Sequence, residues 1–186
     1  MSRAAPDTDY ERLIELLTAE RLGSYLKASG GDLTGAFLLY EWNMQAAASA
    51  LSLAAMVEVL LRNALDREMR AWAAAKGHDD WLTAAPLDDR ASSDVRKARE
   101  RAMRGGREAT HGHVVAELNL GFWRYLVARK YLTNLWIPAL QRAFPHAEPD
   151  ARQRQRSLER HVQQLLYLRN RAAHHEPLHR RDLLGD

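Results

Sequence analysis

An all-α fold is expected from three observations. No stretch of the chain alternates apolar and polar residues convincingly enough to read as a strand, whereas apolar residues recur at three- and four-residue spacing in segment after segment. Glycine and proline clusters fall between these segments rather than within them. The 186 residues are 46% apolar with a mean hydropathy of −0.47, which suits a globular protein with a real core. One domain over residues 1–186 is expected: a helical bundle with an N-terminal helix and loop over 1–32, a long second helical segment, and a short tail over 177–186. No internal repeat is visible.

The first helix is expected over residues 9–28. Thr8 and Glu11 make a capping-box pattern, and Tyr10, Leu13, Leu17, Leu22 and Tyr25 roughly keep a helical period. Ser29-Gly30-Gly31-Asp32 is a loop. A second helical pattern runs from about Thr34 to Ala75, and its length predicts a break, near Met44–Ala48. Residues 77–92 read as a loop anchored by Trp81 and Leu82. A short, charged helix, exposed or mobile, is expected from Ser93 to Gly105, where apolar positions are few. Thr110 can cap the next helix, with Val114, Leu118, Phe122, Trp123, Leu126 and Tyr131 as its core face. Trp136-Ile137-Pro138 marks a break, and Pro138 to Phe144 reads as a short helix. Asp150 can cap the last helix, expected over 151–175, with Leu158, Val162, Leu165, Leu166, Ala172 and Ala173 as its buried stripe.

Charge is distributed unevenly. Residues 1–89 carry a net −6 and residues 90–186 a net +9, so the C-terminal half suits polyanions, or simply solvates arginine-rich helices. There are no cysteines, which excludes disulfides, thiolate zinc sites and a cysteine nucleophile, and fits the cytoplasm. No signal peptide and no membrane partner are expected: the N-terminus lacks an apolar core region, and the 16 uncharged residues between Glu41 and Glu58 are few and weakly apolar.

The last helix ends unusually, in Tyr167-Leu168-Arg169-Asn170-Arg171-Ala172-Ala173-His174-His175-Glu176, and Pro177 is expected to stop it. Arg169 falls on the stripe of Val162, Leu165 and Leu166 and is expected to lean inward, while Asn170 and His174 share a face. Arg169 and His174 are about 140° apart in azimuth, so one straight helix does not aim both at one atom. A flexible arginine can reach round, the helix can distort near Pro177, or a second copy can supply the missing group. An imidazole moves protons near neutral pH, and a guanidinium grips phosphate oxygens. Together they suit cleavage of a phosphodiester that carries its own nucleophile, as RNA does in its 2′-OH. A solvated basic helix end, complementing the helix dipole, accounts for the same residues.

The string Arg169-Asn170-x-x-x-His174 resembles the R-N-x-x-x-H motif of the HEPN superfamily, and Leu168 to Glu176 resembles the corresponding segment of Abi-like abortive-infection proteins. Upstream, Glu58 followed by Leu60-Leu61-Arg62-Asn63-Ala64-Leu65 resembles that family's E-x-x-x-R-N helix, and the likeness covers about residues 35–180. It implies a HEPN-like bundle acting as a homodimeric, metal-independent endoribonuclease. Arg169 and His174 would be the catalytic pair, Asn170 would orient them, and His175 would help. No cofactor or metal is implied. An antitoxin partner, protein or RNA, is compatible with it, as is a non-catalytic RNA- or protein-binding module. Glu58, Arg62 and Asn63 read as supporting residues, Glu58 and Arg62 as an ordinary i,i+4 ion pair or as a second layer behind the last helix. Arg171 and Arg160 are RNA-binding candidates. Arg152, Arg154, Arg156 and Arg160 together read as a solvated face or as RNA backbone contacts. His111-Gly112-His113 resembles a metal fragment, but alternate residues do not share a helical face.

Overall fold

The computed structural model describes residues 10–106 and 108–179. It is all-α, and no strand occurs among the described residues. The chain forms two compact units, one from residues 1–52 and 168–186, the other from 53–167. The Thr8 cap lies outside the described residues.

In the first unit, the expected first helix is two: α1 (Tyr10–Leu17) and α2 (Ala19–Ala28). Thr18 separates them with φ at +66°, and its hydroxyl accepts from the Arg21 amide at 3.4 Å, capping α2. The chain then enters α3 (Leu33–Ala74), which contributes residues 33–52 to this unit and 53–74 to the other. The Asp32 carboxylate accepts from the Gly35 amide at 2.9 Å. A Cβ on residue 35 would lie 2.7 Å from that carboxylate, so the cap needs glycine there. The break expected near Met44–Ala48 does not occur. Alanines 46–48, 50, 54 and 55 are the best helix formers, and no glycine or proline interrupts the run.

The core of this unit places Ala47 of α3 beside Ala172 of α8 (Ala151–Ala173) and Leu178, ringed by Ala46, Ala50, Leu51 and Leu168. Small side chains at 47 and 172 leave room for Leu178, which is fully buried. The segment after Pro177 is thus docked, at least through His179. Asn43, 3% exposed, accepts from the Leu178 amide at 2.6 Å, and the His179 ring lies 4.9 Å from that of Tyr25. Replacing Asn43 by alanine is expected to cost about 1–3 kcal/mol, because a buried amide loses its acceptor. Urea denaturation would register it, and an unchanged midpoint would rule out this bond as the anchor.

The second unit is built on aromatic side chains. Trp81, Trp123 and Trp136 are fully buried, among Leu65, Met69, Leu118, Leu126, Leu135 and Leu140. Each of these three indole N–H groups has an acceptor: Asp66 at 2.7 Å, the Leu118 carbonyl at 3.1 Å and the Ala151 carbonyl at 2.7 Å, respectively. One helix, α4 (Trp81–Ala84), arises within the expected loop, and the helix expected from Ser93 begins one turn earlier, at Asp89. Asp80 caps α4, and Asp88 caps α5 (Asp89–Ala102). Nor is α5 merely an exposed charged helix: Ala91, Val95 and Ala98 bury one face, where small residues suffice.

Thr110 caps α6 (His111–Glu117) as expected, but the helix does not continue to Tyr131. Asn119 accepts from the Phe122 amide at 3.1 Å and starts α7 (Leu120–Leu126), while the carbonyl of Leu118 goes to the Trp123 indole. A short 3₁₀ turn at 129–131, a π turn at 132–136 and a 3₁₀ turn at 140–143 lead toward α8. Asp150 accepts from the Gln153 amide at 2.7 Å and caps α8.

Candidate functional site at the end of the last helix

The last helical residue is Ala173, and the stop is built before Pro177 is reached. His175 adopts φ +55°, its amide donates to the Ala172 carbonyl at 3.1 Å, and the Glu176 amide donates to the Arg171 carbonyl at 2.8 Å. These are the two bonds of a Schellman ending, with histidine in the left-handed position that glycine usually takes. A residue that carries a Cβ costs about 1 kcal/mol in that region. His175→Gly is therefore expected to raise stability by about 0.5–1 kcal/mol in urea denaturation. Loss of stability instead would show that the imidazole itself holds the turn.

Arg171 completes the ending. Its guanidinium donates to the Pro177 carbonyl at 2.6 Å and lies 3.6 Å from the Glu176 carboxylate. It is half-buried, and its guanidinium holds the tail.

Arg169, Asn170 and His174 are all exposed. The expectation that Arg169 leans inward fails, because Leu168 and Ala172 take the inward stripe of this unit. Arg169 instead donates to the Asn170 side-chain carbonyl at 3.3 Å. Asn170 thus sits where it can orient the guanidinium. The His174 amide closes the last turn on the Asn170 carbonyl at 3.0 Å, and its ring stands in solvent. A guanidinium held by a neighbour and an open imidazole can grip an anion and exchange protons.

Glu58, Arg62 and Asn63 belong to the second unit. Of the two readings of Glu58 and Arg62, the ion pair is not formed. Glu58 and Arg62 are half-buried, and the Arg62 Nε is buried with no acceptor among the described residues. Asn63 is exposed at a polar recess of about 790 Å³ that Asp66, Arg67, Arg70 and His78 also line.

Of the arginines at the start of α8, Arg154 serves structure: it donates to the carbonyls of Glu148 at 2.6 Å and of Gln141 and Pro149 at 3.3 Å. Arg160 is exposed. The two histidines of the apparent metal fragment are used separately. His111 lies between two carboxylates, 2.7 Å from Asp66 and 3.2 Å from Asp80, while His113 Nδ1 faces the Thr110 amide at 3.5 Å in a capping box.

Sequence reasoning missed a further cluster at Asp88. This carboxylate accepts from the Tyr125 hydroxyl at 2.6 Å, the Tyr131 hydroxyl at 2.9 Å, the Ala91 amide at 3.0 Å and the Lys130 ammonium. The Lys130 bond, then that of Tyr125, holds the Asp88 carboxyl well below the usual carboxylate range. Asp88 in turn raises Lys130, and burial pushes Tyr131 up to about 12. Arg90 stacks over the Tyr125 ring at 4.3 Å. Only the Asp88 capping position was a signal in the sequence, since its other partners lie about forty residues away.

No family model, curated protein or solved structure matches this chain. What fold and site define is a class: an all-α protein whose last helix ends in an exposed arginine–asparagine–histidine group.

Proposed function

We propose that this chain is a HEPN-type, Abi-like endoribonuclease that needs no metal and acts as a homodimer, serving as a toxin or phage-defence effector in the cytoplasm. The observation that supports this best is the division of labour at the end of α8. Arg171 and His175 secure the helix end, while Arg169, Asn170 and His174 stand exposed in R-N-x-x-x-H order. In the reaction, the RNA 2′-OH loses its proton as its oxygen attacks the adjacent phosphorus. The bond from phosphorus to the 5′ oxygen breaks, and that oxygen gains a proton. The products are a 2′,3′-cyclic phosphate and a 5′-OH. His174 exchanges protons with these oxygens, and Arg169, oriented by Asn170, offsets the negative charge that gathers on the non-bridging phosphate oxygens.

The homodimer rests on surface as well as on azimuth. In the first unit α3 exposes Leu38, Trp42 and Met44. In the second it exposes Leu53, Met56 and Leu60, the last at the lip of an apolar recess of about 380 Å³ lined by Val57, Phe144, Leu158 and Val162. Exposed apolar side chains in such number call for a cover, and a second copy is the cover proposed. By length and composition α3 is also apolar enough to cross a membrane, with a mean hydropathy of 1.6 over 18 residues; the uncharged stretch between Glu41 and Glu58 understates a helix that extends beyond it on both sides. Sedimentation of the intact chain with and without lipid vesicles separates these covers. RNA cleavage in EDTA, with end-group analysis of the products, tests the chemistry.

The same apolar side chains also favour a second reading, a non-catalytic module that holds a protein or RNA partner. A protein or RNA antitoxin would be such a partner. Stable binding without product over long incubation would select that reading.

A further inference from the structure

The solvent face of α8 carries Arg152, Arg156 and Arg160 at four-residue intervals, a rise of about 6 Å from each to the next. All three are exposed, and none is hydrogen-bonded or ion-paired among the described residues. The other charges of this stretch are turned to structural use. Arg154 binds three carbonyls, and Glu159, the only acidic residue in α8, is taken by Arg124 at 3.3 Å and Gln155 at 3.2 Å. The ridge therefore keeps its positive charge. Arg156 and Arg160 share a shallow recess of about 450 Å³ with Gln153, Ser157 and Glu148. Glu148 is the one carboxylate there, beyond the N-terminus of the helix.

We propose that this ridge is a track for the backbone of single-stranded RNA, with successive phosphates on Arg152, Arg156 and Arg160. The choice of RNA rests on the ribonuclease reading above. Guanidinium forks fit phosphate oxygens, and a flexible single strand can lay its phosphates along one straight helix face. Gln153 and Ser157, each one residue beyond an arginine, supply donors and acceptors for the 2′-OH, the group that tells RNA from DNA. Phosphate contacts of this kind secure and place the strand without reading its sequence.

The test is fluorescence anisotropy of a labelled oligouridylate against the full chain over a range of KCl, for wild type and for R152Q/R156Q/R160Q. Each phosphate contact to a single strand contributes about 0.7 to the salt slope, so the triple variant is expected to lose about 2. Unchanged circular dichroism would show that it is folded, as three exposed arginines replaced by a good helix former should be. An unchanged slope overturns the track, as does an equal loss of affinity for labelled polyglutamate, which would mark a general polyanion surface. Gln153→Ala is expected to narrow the preference for oligouridylate over oligothymidylate, and wild-type indifference between the two overturns the 2′-OH contact. Cleavage is read separately. If the wild type cuts no RNA while the slope falls in the triple variant, the track stands and the nuclease reading fails; cutting with an unchanged slope gives the reverse.

Discussion

Replacing His174 by alanine is expected to slow RNA cleavage by about 10²- to 10⁴-fold, the usual contribution of a positioned proton-transfer group. Arg169→Ala is expected to cost about 10²- to 10³-fold, as when a charged donor to a developing oxyanion is removed. Both side chains are exposed at the end of α8, so neither change should disturb the core, and urea midpoints should move by less than about 0.5 kcal/mol. The composite site adds a sharper expectation. An equimolar mixture of the two inactive variants, allowed to exchange subunits, contains heterodimers. In these, Arg169 of one copy meets His174 of the other, and cleavage should return in part. Folded single variants that cut as fast as the wild type would eliminate the assigned site. Inactive variants that never complement would place both groups on one protomer.

Asp88→Ala should be strongly destabilising. It removes the cap of α5 and the shared acceptor of the Tyr125 and Tyr131 hydroxyls. A lost cap costs about 1 kcal/mol, and hydrogen bonds to a charged acceptor are each worth about 1.5–3 kcal/mol when shielded. Allowing for partial exposure, and leaving out Lys130, a loss of about 2–3 kcal/mol is expected, or roughly 5–10 °C in Tm. Its dependence on pH has a definite sign. The folded carboxyl is held below its ordinary value, so the folded state takes up its proton less readily than the unfolded chain. The stabilisation is complete above about pH 5 and fades as pH falls through the carboxylate range. The gap in Tm between wild type and Asp88→Asn should therefore be wide at pH 7 and narrow by pH 3. At the alkaline end, Tyr131 is held neutral up to about 12, so its contribution fades as pH rises above 10. Melting curves of both proteins from pH 3 to 7 would decide, and a gap that does not change with pH would mean that the carboxylate charge plays no part.

By itself the sequence determined the all-α class, the caps at Thr110 and Asp150, most of the buried aromatic and aliphatic positions, and the polar ending of α8. These are local properties: a capping side chain bonds three residues ahead, and an apolar stripe repeats within one turn. Errors arose where local signals compete. Asn119 capped a new helix in the middle of an apolar run, and an alanine-rich stretch continued where length alone suggested a break. Only the tertiary structure decided which polar groups are occupied. Arg171 and Arg169 look equivalent in sequence, yet one holds the tail and the other stands exposed, because Leu178 reaches back to Asn43 and brings Pro177 under the Arg171 side chain. Asp88 found its tyrosines, and Asp66 found His111, across about forty residues, a separation at which no local periodicity bears on which groups meet. Such partners are set by how the helices pack, and packing leaves Arg169, Asn170 and His174 exposed at the end of the last helix.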